Sequence, residues 1–364
     1  MEGGKIILSL GKSLLYFCGL QILRYLLLPF SAIFQLGLWI KEILILLGLT
    51  SAQKVPVPVF SVGNISLGGA GKTPVSMFLL QFLRAKNENP AYLSRGYGRK
   101  TRGFRLVNTN SDTAAECGEE ALMVAGNFPT QTIAVSENRV EGALQIIQEK
   151  KAKSIVLDDA FQHRKIFRDL DIVVVDVTQQ NKQLIPAGKL REPISALKRA
   201  DFVLLSKSIS LTECESFARK YSLKKWAAFH LFVSGFSGQD GKIIQTENLK
   251  GKKALLFSGI GNPLNFEETL RSAGIETVNH LIFPDHHSYK KSDFERILNK
   301  FDGAQEIILT TEKDYYRLKS SGLIALLPED KFFFTRVEMA WLKGKTEFEN
   351  EILSVLKNYG YKVL

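Results

Sequence analysis

The chain has 364 residues, long for one hydrophobic core and comfortable for two. Apolar residues make up 45% and charged residues 23%, ordinary for a folded protein, and no repeat or low-complexity tract interrupts them. The formal charge of +11 favours a polyanionic partner: nucleic acid, an anionic membrane surface or a phosphorylated substrate. Cys18, Cys117 and Cys214 are scattered, which argues against a disulfide framework or zinc site and for a reducing compartment.

The first fifty residues differ from the rest. Residues 14–49 read "LLYFCGLQILRYLLLPFSAIFQLGLWIKEILILLGL". Arg24 and Lys41 bound the longest uncharged stretch, and Pro29 interrupts it, so it falls short of the roughly 20 uninterrupted apolar residues of a spanning helix. It is too long for a secretory signal, and no convincing cleavage site follows. The preferred reading is one or two helices in the membrane interface, with Lys5, Lys12, Arg24 and Lys41 reaching for headgroups. A single span and a buried helix pair remain the alternatives.

After Lys54, strands alternate with helices. "VPVFSVGN" (57–64), "SIVLDDAF" (154–161), "LDIVVVDV" (170–177) and "ADFVLLSKS" (200–208) are buried-type strands. "PVSMFLLQFLRAK" (74–86), "GEEALMVAGNF" (118–128) and "NRVEGALQIIQEKKAK" (138–153) carry helical spacing. From Trp226, "WAAFHLFVSGFSGQDGKIIQ" reads as a hairpin turning at Gly238 to Gly241, and a second strand–helix series follows. The expected fold is α/β, with two α/β/α domains, the first a P-loop NTPase domain, after an apolar N-terminal helical membrane-associating segment. The expected divisions are 1–50 (apolar helices), 51–225 (P-loop kinase domain), 226–250 (β linker) and 251–364 (second α/β domain).

Residues 63–74, "GNISLGGAGKTP", join the first strand to the first body helix. A phosphate loop needs backbone N–H groups turned inward, a cation for the β- and γ-phosphates and a hydroxyl for Mg²⁺. Gly68, Gly69 and Gly71 supply flexibility, Lys72 the cation and Thr73 the hydroxyl. Ser66 stands where the strict pattern has its first glycine, with Leu67 and Ala70 as the other loop residues. The acids that complete such a site are expected at a strand end, where Asp158 and Asp159 lie. No guanine-reading N-K-x-D follows a late strand: "LLSKSIS" lacks both the Asn and the Asp, so the nucleotide is read as ATP.

Seven segments, "GNISLGGAGKTP", "SRGYGRK", "VLDDAFQHRK", "LIPAGKLREP", "FSGIGNP", "FPDHHSY" and "TTEKD", fall in order, and with the apolar N-terminus the chain resembles the tetraacyldisaccharide 4'-kinases of Gram-negative bacteria over essentially its whole length. The resemblance implies phosphorylation by ATP and Mg²⁺ of the 4'-hydroxyl of a tetraacylated glucosamine disaccharide 1-phosphate, giving lipid IVA. It also implies attachment to the cytoplasmic face of the inner membrane, against an anionic surface, with no nucleic acid and no obligate protein partner. Lys72 and Thr73 then look like the phosphate lysine and a Mg²⁺ ligand, and Asp158 and Asp159 like the paired acids, with Asp159 the preferred metal partner. His286 looks like the second-domain histidine that activates the acceptor hydroxyl with a carboxylate. That carboxylate is an aspartate in the family; here "CGEEAL" places Glu119 at its position, one methylene longer. Glu119 and Glu120 also read as N-terminal helix acids. The basic run Arg95, Arg99, Lys100, Arg102 and Arg105 reads either as a site for the substrate's 1-phosphate or headgroups, or as a solvated loop. The rival function is a membrane-associated P-loop ATPase acting as a partner switch, which leaves "FPDHH" and "TTEKD" unexplained.

Overall fold

The computed structural model describes residues 2–86, 89–179, 181–302 and 305–361, with the side chains of residues 2–23 and of Ser320 outside the description. The side chains of Lys5, Lys12 and Cys18, named above, therefore lie outside it.

One helix, α1 (Glu2–Leu46), fills the apolar N-terminus and runs through Pro29 without a break. The helix loses one backbone hydrogen bond there, and Ser31 Oγ reaches back toward the Leu27 carbonyl at 3.4 Å. Its stretch Arg24–Leu46 is long and apolar enough to cross a membrane by length and composition, about 35 Å at 1.5 Å per residue. One face is braced on the body. Ser31 Oγ donates to the Leu184 carbonyl and accepts from the Ala187 N–H, both at 3.0 Å. Phe34 and Leu38 pack on a core cluster around Phe161, Val173 and Leu205. Lys41 Nζ donates to the Gln162 carbonyl at 3.1 Å, and Glu42 pairs with Arg164. Residues 31, 34, 38, 41 and 42 are helically spaced, so bracing uses one stripe only. The other faces expose Phe30, Ile33, Leu36, Trp39, Ile40 and Ile43.

The body begins with β1 (Val59–Asn64), α2 (Lys72–Ala85), β2 (Pro90–Ser94), β3 (Arg105–Leu106), α3 (Ala114–Cys117), α4 (Glu119–Asn127), β4 (Thr132–Val135) and α5 (Arg139–Lys150). It continues with β5 (Ser154–Asp158), β6 (Leu170–Asp176), β7 (Phe202–Ser206), α6 (Leu211–Lys220), β8 (Trp226–Gly238), β9 (Ile243–Ile244) and α7 (Thr246–Leu249). The remainder is β10 (Lys253–Ser258), α8 (Pro263–Ser272), β11 (Glu276–Ile282), α9 (Lys291–Lys300), β12 (Ile307–Thr310), α10 (Glu312–Ser321), β13 (Phe332–Lys343) and α11 (Lys345–Asn358).

All strands join one sheet, in the order β11-β10-β12-β13-β8-β7-β6-β1-β5-β2-β4-β3, with β9 on β8. Two parallel blocks meet at an antiparallel pair of long strands, β13 on β8. The central strands β1, β2, β5 and β7 are buried along their whole length, as strands covered on both faces must be. The chain crosses from β5 to β6 over opposite sides of β1. That reversal opens a crevice at the C-terminal ends of β1, β5 and β6, the usual place for a ligand in such a sheet.

β13 and α11 have no counterpart among the elements expected from sequence. α11 buries Phe348, Ile352, Val355 and Leu356 on one face, and the Phe348 ring sits 5.0 Å from that of Phe202 in β7. The last helix of the chain thus packs on strands of the first block.

Candidate active site

The loop between β1 and α2 turns on two glycines. Gly68 and Gly71 have φ of 97° and 98°, and Gly71 caps α2. Ser66 needs no such freedom. It forms an antiparallel bridge with Leu190, while the Leu67 N–H donates to the Lys189 carbonyl and the Arg191 N–H to the Ile65 carbonyl, each at 2.7 Å. The segment "LIPAGKLREP" is therefore the outer wall of the loop. Gly63 is needed for a different reason: a Cβ there would lie 2.5 Å from Phe161 Cβ, in the turn that carries the acids. Lys72 and Thr73 open α2, where free N–H groups and the helix dipole favour an anion.

Asp158 ends β5 beside Val62 of β1, so the sheet register brings the acids to the loop. Asp158 is fully buried and accepts from the Tyr92 hydroxyl at 2.8 Å. Burial and the nearby Glu120 push its carboxyl up to about 6, against the pull of Lys72. Asp159 has φ of 49°, a strained value for a non-glycine residue, and it faces cations: Lys72 Nζ at 3.5 Å and Arg191 Nη1 at 3.1 and 3.0 Å. The donors offered by Thr73, Asp158 and Asp159 are all hard oxygens. A hydroxyl and one or two carboxylates, completed by phosphate oxygens and water, suit Mg²⁺.

Glu119 is the first residue of α4, after Gly118 at φ 86°. His286 follows β11 in a left-handed conformation at φ 59°, held by its N–H to the Gly259 carbonyl at 3.1 Å. The two meet: His286 Nδ1 lies 2.9 Å from Glu119 Oε1. The approach is close but poorly aligned, and the buried Oε1 has no aligned hydrogen-bond donor. Such looseness is common in active sites before substrate binds. Glu119 Oε2 accepts from Arg317 Nε of α10, and neighbouring Glu120 pairs with Lys313 of the same helix. Burial pushes the Glu119 carboxyl up, but the Arg317 hydrogen bond and charge, then Lys313 and His286, outweigh it and hold the group below the ordinary glutamate range. Lys313 holds Glu120 down to about 2 against burial, with Lys72 and His286 adding to the pull. Lys72, Glu120, Asp158 and His286 thus share one electrostatic neighbourhood.

The basic run divides. Arg99 is nearly buried, paired with Glu137 at 2.7 Å, and Arg105 is paired with Asp112 and Glu116. Arg95, Lys100 and Arg102 stay exposed. In the second block Ser258, His280 and Glu267 form a hydrogen-bonded row, at 2.9 and 3.2 Å, that resembles a hydrolase triad. Ser258 is fully buried, so the row anchors its loop and does not attack a substrate. Sequence reasoning named Glu119, His286, Lys72, Thr73, Asp158 and Asp159, and the fold draws all six into this crevice. It passed over Arg191, Tyr92, Lys313 and Arg317, although "LIPAGKLREP" and "TTEKD" carried the signal for Arg191 and Lys313.

Residues 23–357 match the family model described as tetraacyldisaccharide-1-P 4'-kinase. Among curated proteins, the tetraacyldisaccharide 4'-kinase of Chlorobaculum parvum is 35% identical over 345 residues, covering 92% of this chain and 95% of that protein. That of Flavobacterium johnsoniae is 34% identical over 348 residues, covering 93% and 98%. Among solved structures, the Aquifex aeolicus protein, described as an apo form in complex with ATP, superposes with a TM-score of 0.76 at 30% identity, covering 92% of this chain and 99% of that one.

Proposed function

The chain belongs to the tetraacyldisaccharide-1-phosphate 4'-kinase family, and from that membership we propose how it works and where. It is an ATP-dependent phosphotransferase with an alcohol acceptor, acting in lipid A biosynthesis: the γ-phosphoryl group goes to the 4'-hydroxyl of a tetraacylated glucosamine disaccharide 1-phosphate, giving lipid IVA. The loop 66–73 cradles the phosphates, and Lys72 neutralises charge on the β- and γ-phosphate oxygens. Thr73, Asp158 and Asp159 would hold Mg²⁺, which when bound would supply further neutralisation of that charge. The 4'-hydroxyl gives its proton to the Glu119–His286 pair as its oxygen attacks; the new O–P bond forms, the bond to the β-phosphate oxygen breaks, and ADP leaves.

The observation that supports this assignment is the 2.9 Å approach of His286 to Glu119, whose neighbour Glu120 lies in the field of both Lys72 and His286. Incubation with Mg-ATP labelled at the γ-position and the acylated disaccharide 1-phosphate tests it. Label on the lipid is expected; label found only in free inorganic phosphate would mean a switch ATPase instead.

We also propose that α1 holds the enzyme on the cytoplasmic face of the inner membrane, against anionic lipid. Support comes from the apolar faces left open by its one-sided bracing and from the free thiols of Cys117 and Cys214. A helix pinned to the body from residue 31 to 42 presents a half-cylinder to lipid, which favours lying in one leaflet and brings the crevice to the substrate. The double variant Ile33→Asp/Ile43→Asp should stop flotation with anionic vesicles yet keep turnover on detergent-dispersed substrate. Unchanged flotation would place the anchor elsewhere, and digestion by protease added outside spheroplasts would contradict the cytoplasmic face.

A further inference from the structure

α10 carries Lys313 and Arg317 to the N-terminal end of α4, and Arg317 is no surface side chain, being 8% exposed. Its Nη1 donates to Asp314 Oδ1 at 2.7 Å and to the Gly259 carbonyl at 2.8 Å. Asp314 is fixed in turn. It accepts from the Gly259 N–H at 3.1 and 3.2 Å, from the Tyr289 hydroxyl at 2.8 Å and from Thr311 Oγ1 at 2.6 Å. The guanidinium is thus held by a buried, multiply hydrogen-bonded carboxylate and by the Gly259 carbonyl, with its Nε donating to Glu119 Oε2. "FSGIGNP" and "TTEKD" converge here: Gly259 comes from the first, and Thr311, Lys313 and Asp314 from the second.

Glutamate has one more rotatable bond than aspartate, so a glutamate in this position needs a restraint that an aspartate does not. Arg317 supplies it. With Oε2 committed, Oε1 is left buried, without an aligned donor, at 2.9 Å from the His286 ring. We propose that Arg317 is a positioning residue for phosphoryl transfer, gripping one oxygen of Glu119 so that the other faces His286 and the acceptor hydroxyl. The proposal rests on the Glu119–His286 reading above.

The charged groups facing Glu119 are Arg317 and Lys313 from α10, with Asp314 behind them, His286 with adjacent Asp285 from the loop after β11, and Glu120 on α4. Arg317 is the strongest counterweight to burial, and ionised Glu119 is the active form. A carboxylate held low stays ionised below the ordinary glutamate range; losing the guanidinium raises its pKa, so the acid limb of the kcat profile moves to higher pH.

The experiment compares Arg317→Met, Arg317→Lys and Asp314→Asn/Arg317→Met with Glu119→Gln in the full chain, using Mg-ATP and the acylated disaccharide 1-phosphate. Arg317→Met should lower kcat roughly 30- to 100-fold while the KM for ATP stays within about twofold, and should shift the acid limb upward. Arg317→Lys should restore part of both, because an ammonium keeps the charge but not the fork. If Arg317→Met does not fold, the double variant, which removes the carboxylate left alone, should show the same loss. A lowered melting temperature with kcat unchanged, or a lowered kcat with the acid limb unmoved, would overturn the proposal. Wild-type turnover by Glu119→Gln would overturn the Glu119–His286 reading and this proposal with it. An inactive Glu119→Gln beside a fully active Arg317→Met would overturn this proposal alone.

Discussion

On the function proposed above, the phosphate loop and the seam between α4 and α10 serve two ends of one transfer, yet they are encoded in different ways. The loop is a single run of eight residues, 66–73, whose shape follows from two positive-φ glycines and a helix start. The seam joins Glu119 to Arg317, 198 residues apart, through a sheet in which β13 returns along β8. A local device carries its geometry with it. A distributed one exists only once both blocks have folded and docked.

The comparison is broken most sharply by removing one group from each end. Lys72→Ala should lower turnover on the order of 10³-fold or more, because Arg191, a neighbouring cation, is itself committed to Asp159. His286→Ala should lower kcat on the order of 10²-fold, the scale of one proton-transfer group, and leave ATP affinity nearly intact. Combined, the two losses should multiply if nucleotide positioning and hydroxyl activation are separate functions, and fall well short of their product if both residues act as one unit. Steady-state kinetics of the two single variants and the double variant decide it. An unchanged rate for His286→Ala would make Asp285, His286 and His287 a polar turn after β11 and no part of the transfer.

The same contrast explains what could be read from the sequence. The loop, the acids at the end of β5 and the alternation of strand and helix were legible because each is fixed by neighbours within a few residues. The continuity of the sheet was not. Nothing in the periodicity of residues 332–343 says that they pair antiparallel with residues 228–238 and weld the two blocks together. The return of α11 to Phe202 was equally hidden, since an amphipathic helix does not name the surface that covers it. We propose that the divisions at 51–225, 226–250 and 251–364 still describe chain order, with α11 assigned by packing to the first block; limited proteolysis that released 251–361 as a stable piece would contradict that assignment. Arg317 was invisible for a related reason. An arginine three residues after an aspartate reads as a helix surface pair until Gly259 and Glu119 are brought against it.

The finest test concerns Ser66, where the strict phosphate-loop pattern fails. In a loop shaped only by glycine content, Ser66→Gly would complete the pattern and tighten ATP binding. The geometry argues otherwise. Positive φ falls on Gly68 and Gly71, whereas residue 66 is pinned as an extended bridge to Leu190 and gains nothing from freedom there. Ser66→Gly should change the KM for ATP by less than about twofold and lower stability by roughly 0.5–1 kcal/mol through added freedom in the unfolded chain. Gly71→Ala should impair both stability and ATP binding. A Cβ at φ 98° is strained by roughly 1–2 kcal/mol, and it would lie 3.5 Å from the Phe229 ring of β8. The α2 N-terminus should then shift and ATP affinity fall, as read by calorimetric titration beside thermal melts. If Ser66→Gly tightened binding tenfold, the wall built by residues 184–193 would have no part in shaping the loop, and the loop would be less local than its sequence suggests.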